Sequence, residues 1–332
     1  MGRWRAALCW IFLLGCDGDA SQHAVVFGSG VDSESHDLAS GVRGSVDVED
    51  TAMSDTPMAA CPAPDPEGRY HEIYDHRVMK ATSDDGLDFE VDHTVLLEHA
   101  SVPDAVVRPD GSIWVYYVNG EPGQHGPFIA QLEDDGVFHP MECVRVDGIF
   151  EGNVVDPNIQ RLADGRYRLD YYLGWFTGTP PPPGAEHPFY VAFSDDGIHF
   201  QVASKTLGFD TIATDPSVVP LPEGGWLMTY AHDGAVGLAT SEDGLTFTRT
   251  ATTFEKGIPE LAVFTDGTVR LYASSMEGGM WVYTRSDDGL SWSEPVQTGV
   301  MGADPSVIAL PEGGYIMYRK TFAGGPSPGT VD

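Results

Sequence analysis

The chain is poor in positive charge. Its 332 residues hold 18 Lys and Arg against 50 Asp and Glu, a formal net charge of −32. Such a balance repels nucleic-acid phosphates and anionic lipid, so neither is expected as a partner. It suits neutral or cationic ligands, or a divalent metal. Cysteine is scarce as well: there are four, with no metal-type spacing among them. No loop has EF-hand spacing. The apolar stretch at residues 6–14 is too short to span a bilayer.

Turn-formers are abundant, with 39 Gly and 24 Pro. Between them lie short apolar runs of period two, the pattern of antiparallel strands. Residues 215–247 show it best. Val218-Val219 leads to the turn at Glu223-Gly224-Gly225, Trp226–Tyr230 to His232-Asp233-Gly234, and Val236–Thr240 to a Ser-Glu-Asp-Gly turn at Ser241.

That module repeats. A strand start, an acidic or Asp-Gly turn and an apolar-aromatic strand recur from Val102, Asp156, Asp215, Ile258 and Asp304, at spacings of 54, 59, 43 and 46 residues. Four-stranded propeller blades occupy about 40 to 50 residues. The longer spacings carry turn-rich insertions at 120–127 and 176–188. A heptad, SDDGLDF from Ser83, returns from Ser194, Ser241 and Ser286, with a shortened relative at Glu133. Its Asp can accept backbone N–H bonds across a turn and its Gly can take a positive φ, so it reads as a turn device, not as a catalytic motif.

The expected fold is therefore all-β, a five-bladed β-propeller over residues 70–322, with a tail at 323–332. The fifth strand start has no heptad after it, and the first heptad has no strand start before it. Residues 77–93 should supply the outer strands of the last blade and close the ring.

In such a ring all five strand starts crowd around one channel mouth. They bring Asp104, Asp156, Asn158, Asp215, Glu260 and Asp304 together, under loops bearing His125, Trp175, Phe176, His232 and Glu277. Carboxylates in one mouth cannot all ionise cheaply, so some pKa values should rise. Glycoside hydrolysis needs that arrangement: a protonated acid, an ionised base or nucleophile, and a third carboxylate tuning them. Trp175 and Phe176 offer faces for a sugar ring. His125 and His232 read as ligands, sugar contacts or ordinary loop histidines. Asp-Pro at a strand start is also a structural device, and it recurs in three blades. Asp104 and Glu260 depart from the repeat.

Several resemblances sharpen these expectations. Leu13-Leu14-Gly15-Cys16, after Arg3, Arg5 and the apolar core, resembles the lipobox of bacterial lipoproteins; an ordinary secretory signal is the other reading. The resemblance implies a signal at 1–15, lipidation at Cys16, a place in the bacterial cell envelope and membrane contact only through the anchor. Residues 16–66, rich in Ser, Gly and acid, read as a flexible tether. In that oxidising setting Cys61 and Cys143 form either a disulfide or two buried thiols. The heptads resemble the Asp-box of sialidases and related repeat proteins. The five-blade count with Asp-Pro starts resembles glycoside hydrolase families 43 and 32, which implies Asp104 as base, Glu260 as acid, and Asp156 or Asp215 as the tuning carboxylate. Sialidase activity is not expected, because the blade count is five and inner-strand arginines are scarce. The reading is a monomeric propeller acting on a glycan or polysaccharide, with a non-catalytic glycan- or protein-binding propeller as the alternative. No cofactor is required, though the acidic channel could hold Ca2+.

Overall fold

A computed structural model of the chain describes residues 71–121, 126–147, 154–173, 185–255, 257–275, 279–286 and 291–323. Residue contacts divide the chain into two units, 1–57 and 58–332, and every described residue lies in the second. Cys16, Cys61, His125, Trp175, Phe176, Glu277 and the tether lie outside the described residues. Cys143 is disulfide-bonded.

After a single turn of helix, α1 (His71–Tyr74), the chain enters β1 (His76–Ser83), then the two-residue strands β2 (Glu90–Val91) and β3 (Leu97–Glu98). Four antiparallel blades follow. Blade one is β4 (Ala100–Val107), β5 (Ile113–Asn119), β6 (Gly126–Leu132) and β7 (Phe138–Cys143). In blade two, β8 (Arg145–Val146) adds a short outer edge to β9 (Val154–Arg161), β10 (Tyr167–Leu173), β11 (His187–Ser194) and β12 (His199–Phe209). Blade three is β13 (Ala213–Pro220), β14 (Trp226–His232), β15 (Ala235–Ser241) and β16 (Thr248–Glu255). Blade four is β17 (Ile258–Val263), β18 (Val269–Ser274), β19 (Gly279–Thr284) and β20 (Val296–Met301).

The fifth blade closes the ring. β21 (Ala303–Ala309) and β22 (Tyr315–Phe322) come from the C-terminal side, and β1 and β2 complete the sheet from the N-terminal side. β1 pairs with β22 along its whole length, from His76 opposite Phe322 to Ser83 opposite Tyr315. A sheet assembled from both ends of the domain leaves no open edge between first and last blade.

Burial explains the composition of the strands. Second strands are sandwiched between neighbouring blades, so IWVYYVN in β5 is apolar or aromatic along nearly its whole length and YRLDYYL in β10 is buried on both faces, with one charged pair inside it. The outermost β16, TRTATTFE, is exposed at all but one position. The recurrent serine heptads are turns. Gly244 N–H donates to Ser241 Oγ at 2.9 Å, and Leu245 N–H donates to Asp243 Oδ1 at 2.8 Å, with the same pattern at Ser83 and Ser194. Phe89, Phe200 and Phe247 bury their rings behind these turns. Gly244 has φ +74°, and a Cβ there would stand 2.7 Å from the Trp226 ring, so both backbone and space require glycine.

One buried ion pair within blade two packs against blade three. Arg168 and Asp170, two apart on β10, share a face. Arg168 Nε donates to Asp170 Oδ2 at 2.6 Å and its Nη2 donates to Oδ1 at 2.8 Å; the side chains are 1% and 0% exposed. The guanidinium carbon lies 4.6 Å from the Trp226 ring centroid. Arg168→Met should cost about 3–5 kcal/mol in urea unfolding, because it strands a buried carboxylate. The double variant Arg168→Met/Asp170→Leu should recover most of that loss; a double variant no more stable than the single would show that the pair is not the cause.

Candidate active site at the channel mouth

Each inner strand carries one X-Pro-Y triplet near its start: Val102-Pro-Asp104, Asp156-Pro-Asn158, Asp215-Pro-Ser217, Ile258-Pro-Glu260 and Asp304-Pro-Ser306. All five triplets line a cavity of about 30 Å³ at the head of the channel. That volume holds a few waters and is too small for a sugar ring. X and Y form two sets, two residues apart on each inner strand: the X residues are the rim set and the Y residues the ring set.

The Y set is a hydrogen-bonded ring. Asp104 Oδ2 accepts from Ile159 N–H (2.5 Å) and from Asn158 Nδ2 (3.0 Å), and Asp104 Oδ1 accepts from Ser306 Oγ (2.7 Å). Asn158 Oδ1 accepts from Val218 N–H (2.9 Å), Ser217 Oγ from Leu261 N–H (2.8 Å), and Ser306 Oγ from Ala105 N–H (2.9 Å). Thus a Y side chain takes a backbone N–H from the strand next to it. Glu260 reaches backward instead: its Oε2 accepts from Ser217 Oγ at 2.8 Å and Asn158 Nδ2 at 3.5 Å. Asp104 and Glu260 therefore share one amide group. Burial pushes Asp104 up to about 7, against the pull of its donors. Burial, and then the nearby Asp104 charge, hold Glu260 well above the usual range. Asp104 is 6% exposed, whereas Glu260 is only half-buried.

The rim set is strained. Val102, Asp156, Asp215 and Asp304 have φ of 48°, 46°, 54° and 46°. Asp tolerates the left-handed region; a β-branched Val there is an outlier. The strand pairing slips beside each of these four residues, and the slip turns the X side chain into the mouth. β17 pairs without a slip, so Ile258 lacks the kink.

The pairing also shows a residue that the sequence pattern did not single out. On the second strand, the residue opposite X−1 is Val118 in blade one, Tyr172 in blade two, Ala231 in blade three and Lys320 in blade five. Lys320 Nζ pairs with Asp304 Oδ2, and both side chains are largely buried. The Lys320 ammonium is desolvated, but Asp304, Asp215 and Asp156 together raise its pKa. Tyr172 hydrogen-bonds Asp156. Asp156 is pushed up to about 6 by burial and by the Asp304 charge. Asp215 is held well above the usual range by burial, then by Asp156 and Asp304. Its Oδ2 accepts from Thr214 Oγ1 at 2.5 Å, its N–H donates to Asp156 Oδ2 at 3.2 Å, and the residue stays half-buried. His76, beside Lys320, is pushed down to about 3 by burial and that charge. The one signal for Lys320 in the sequence is that only blade five has a basic pair, Arg319-Lys320, closing its second strand.

The candidate residues divide as follows. Asp104, Asp156, Asn158, Asp215, Glu260 and Asp304 meet in the mouth. His232 does not line the cavity: its Nε2 is 2.7 Å from Thr211 Oγ1 and its ring packs on Phe209 at 5.2 Å. Among the described residues no group of three or more His, Cys, Asp or Glu could hold a metal ion. A wider, open groove of about 660 Å³ lies at the turn end of blade three, but its Ser241 and Asp243 are committed to their turn.

No protein-family model matches the chain, and no curated protein matches it either. Among solved structures it is similar to a Phanerochaete chrysosporium exo-β-1,3-galactanase complexed with β-1,3-galactotriose, at 11% identity and TM-score 0.49, over 72% of this chain and 64% of that one. It is also similar to a thermostable family-43 glycoside hydrolase, at 10% identity and TM-score 0.49, over 67% of this chain and 89% of that one. A glycosyl hydrolase from Bacteroides ovatus matches at 14% identity and TM-score 0.44, over 60% of this chain and 71% of that one.

The charge states predict an unusual pH response. A carboxyl whose folded pKa is raised contributes stability that is full below its unfolded pKa and lost as pH rises through the folded value. For Asp104 and Asp156 the loss falls between pH ~4 and pH ~8, spanning folded values of about 7 and about 6. The melting temperature should therefore fall from pH 5 to pH 8, and Asp156→Asn should flatten the slope. A melting temperature that rises over this interval would contradict the assignment.

Proposed function

We propose that this propeller acts on a glycan at the channel mouth, by acid-assisted glycoside hydrolysis. The observation that carries the reading is the meeting of unlike carboxyls in one cavity: half-buried Asp215 and Glu260, which burial and neighbouring charge push well above the usual range, beside Asp304, which pairs with Lys320. The cavity is too small for a pyranose, so the sugar would lie across the rim with its glycosidic oxygen turned towards the acid. In the step, the acid's proton goes to the leaving-group oxygen as the C1–O bond breaks. Water supplies the new C1–O bond and gives its proton to the carboxylate, leaving a reducing sugar and an alcohol. Asp104 is better suited to holding the ring than to serving as the base, since both of its oxygens are occupied.

The leader at residues 1–15 and lipidation at Cys16 would place the propeller in a bacterial cell envelope, within reach of extracellular or envelope polysaccharide. A second reading is a non-catalytic glycan-binding propeller. The small cavity and the commitment of Asp104 to backbone bonds favour it.

The test is a panel of aryl glycosides and polysaccharides assayed with the full chain, beside Asp215→Asn and Glu260→Gln. Loss of the acid should lower turnover by about 10²–10⁴-fold in at least one variant. Turnover unchanged in both would refute the site. Glycan binding with no release from any substrate would establish the second reading.

A further inference from the structure

The three rim aspartates have the same backbone, the same proline after them and the same left-handed φ, yet they do not have the same surroundings. They differ in the second-strand residue opposite X−1, which is Lys320 for Asp304, Tyr172 for Asp156 and Ala231 for Asp215, and in local donors: Thr214 Oγ1 for Asp215 and the Asp215 N–H for Asp156. A cation favours ionisation of an adjacent carboxyl more than a hydroxyl donor does, and a methyl group does not favour it at all; Asp156 and Asp215 each have a hydroxyl, but Asp304 alone has a cation in this register position. We propose that this register position sets which rim carboxyl carries the charge: Lys320 pairs with Asp304 as the anion of the rim, and Ala231 leaves Asp215 without a cation of its own, as the acid. On the hydrolytic reading above, Asp304 then takes the proton of the attacking water and Asp215 gives its proton to the leaving oxygen. Lys320 and Ala231 are positioning residues: they set the charge of others.

The groups facing this set come from six elements. Asp304 lies on β21, Asp156 on β9, Asp215 on β13, Lys320 on β22, Tyr172 on β10 and His76 on β1. His76 is kept neutral and its Nδ1 lies 2.9 Å from Ser101 Oγ, so it adds no second cation. Lys320 is thus the one cation acting on all three rim carboxyls among the described residues. The closeness of the fit is visible at Gly302, where a Cβ would stand 2.7 Å from the Lys320 carbonyl oxygen.

Charge-setting and packing are separated by pH. Without Lys320 the rim carboxyls must either stay protonated or repel one another. The folded pKa values of Asp156 and Asp215, which Lys320 holds down, rise further, and the stability tied to them is lost as pH increases. The experiment is thermal unfolding of the full chain at pH 5 and pH 8 for Lys320→Ala, Lys320→Arg, Ala231→Lys and Asp304→Asn. Lys320→Ala should melt on the order of 10 °C below wild type at pH 8, with a clearly smaller deficit at pH 5. Lys320→Arg should restore most of the difference. Ala231→Lys gives Asp215 a cation of its own, so it should melt higher relative to wild type at pH 8 than at pH 5. If Lys320→Ala does not fold, Asp304→Asn carries the test. It removes one rim anion, so its melting temperature should fall less than that of wild type from pH 5 to pH 8. A Lys320→Ala deficit equal at both pH values, or an Ala231→Lys variant with no pH-dependent gain, would overturn the proposal. Turnover distinguishes this from the hydrolytic reading. Ala231→Lys should abolish glycoside release by ionising the acid, whereas a wild type without turnover but with the full pH signature would leave the ionisation order standing and remove the hydrolytic role.

Discussion

The structure depends on the circle of hydrogen bonds between inner strands. A propeller packs blades face to face, and its channel is where five strand starts meet with backbone groups that no sheet partner can satisfy. Here the side chain two residues after each rim position supplies acceptors: Asp104 to Ile159, Asn158 to Val218, Ser217 to Leu261 and Ser306 to Ala105. A buried N–H left unpaired costs roughly 1–3 kcal/mol, so four such bonds are a strong constraint on which residues can stand in the channel. The ring fixes how far apart the blades sit, and so fixes the geometry of everything above it.

Two consequences follow for chemistry. The ring places polar side chains deep in the molecule, where burial raises carboxyl pKa values unless a cation or several donors oppose it. It also sits beside the kinks at Val102, Asp156, Asp215 and Asp304, each two residues before a ring position. Strain of this type persists only where the surroundings over-determine it. The rim is thus an array of nearly equivalent carboxyls on a rigid frame, distinguished by what the second strand places beside them. Glu260 joins the two sets, since it starts in the ring and remains half-buried at the cavity.

Much of the fold was legible in the sequence. Five strand starts at blade-like spacing gave the blade number, and the mismatch between strand starts and heptads gave the closing strand, which the β1–β22 pairing matches. The convergence of Asp104, Asp156, Asn158, Asp215, Glu260 and Asp304 followed from propeller geometry alone. What the period-two pattern hid was the slip in pairing at each X-Pro step. The slip shifts which second-strand residue faces the rim, so Lys320, Tyr172 and Ala231 read simply as blade interior. The left-handed Val102 was hidden too, since its residue type argues against its backbone. His232 was expected over the funnel because it sits in a turn, but its ring is taken by Phe209 and its nitrogen by Thr211.

The central claim is that one small mouth holds carboxyls in different charge states. Carboxyl-resolved ¹³C NMR titration of the full chain tests it most directly. The account predicts that Asp215 and Glu260 titrate far above the range of an ordinary carboxyl, with Asp104 near about 7 and Asp156 near about 6. Four carboxyls titrating together near pH ~4, the value of exposed side chains, would contradict it.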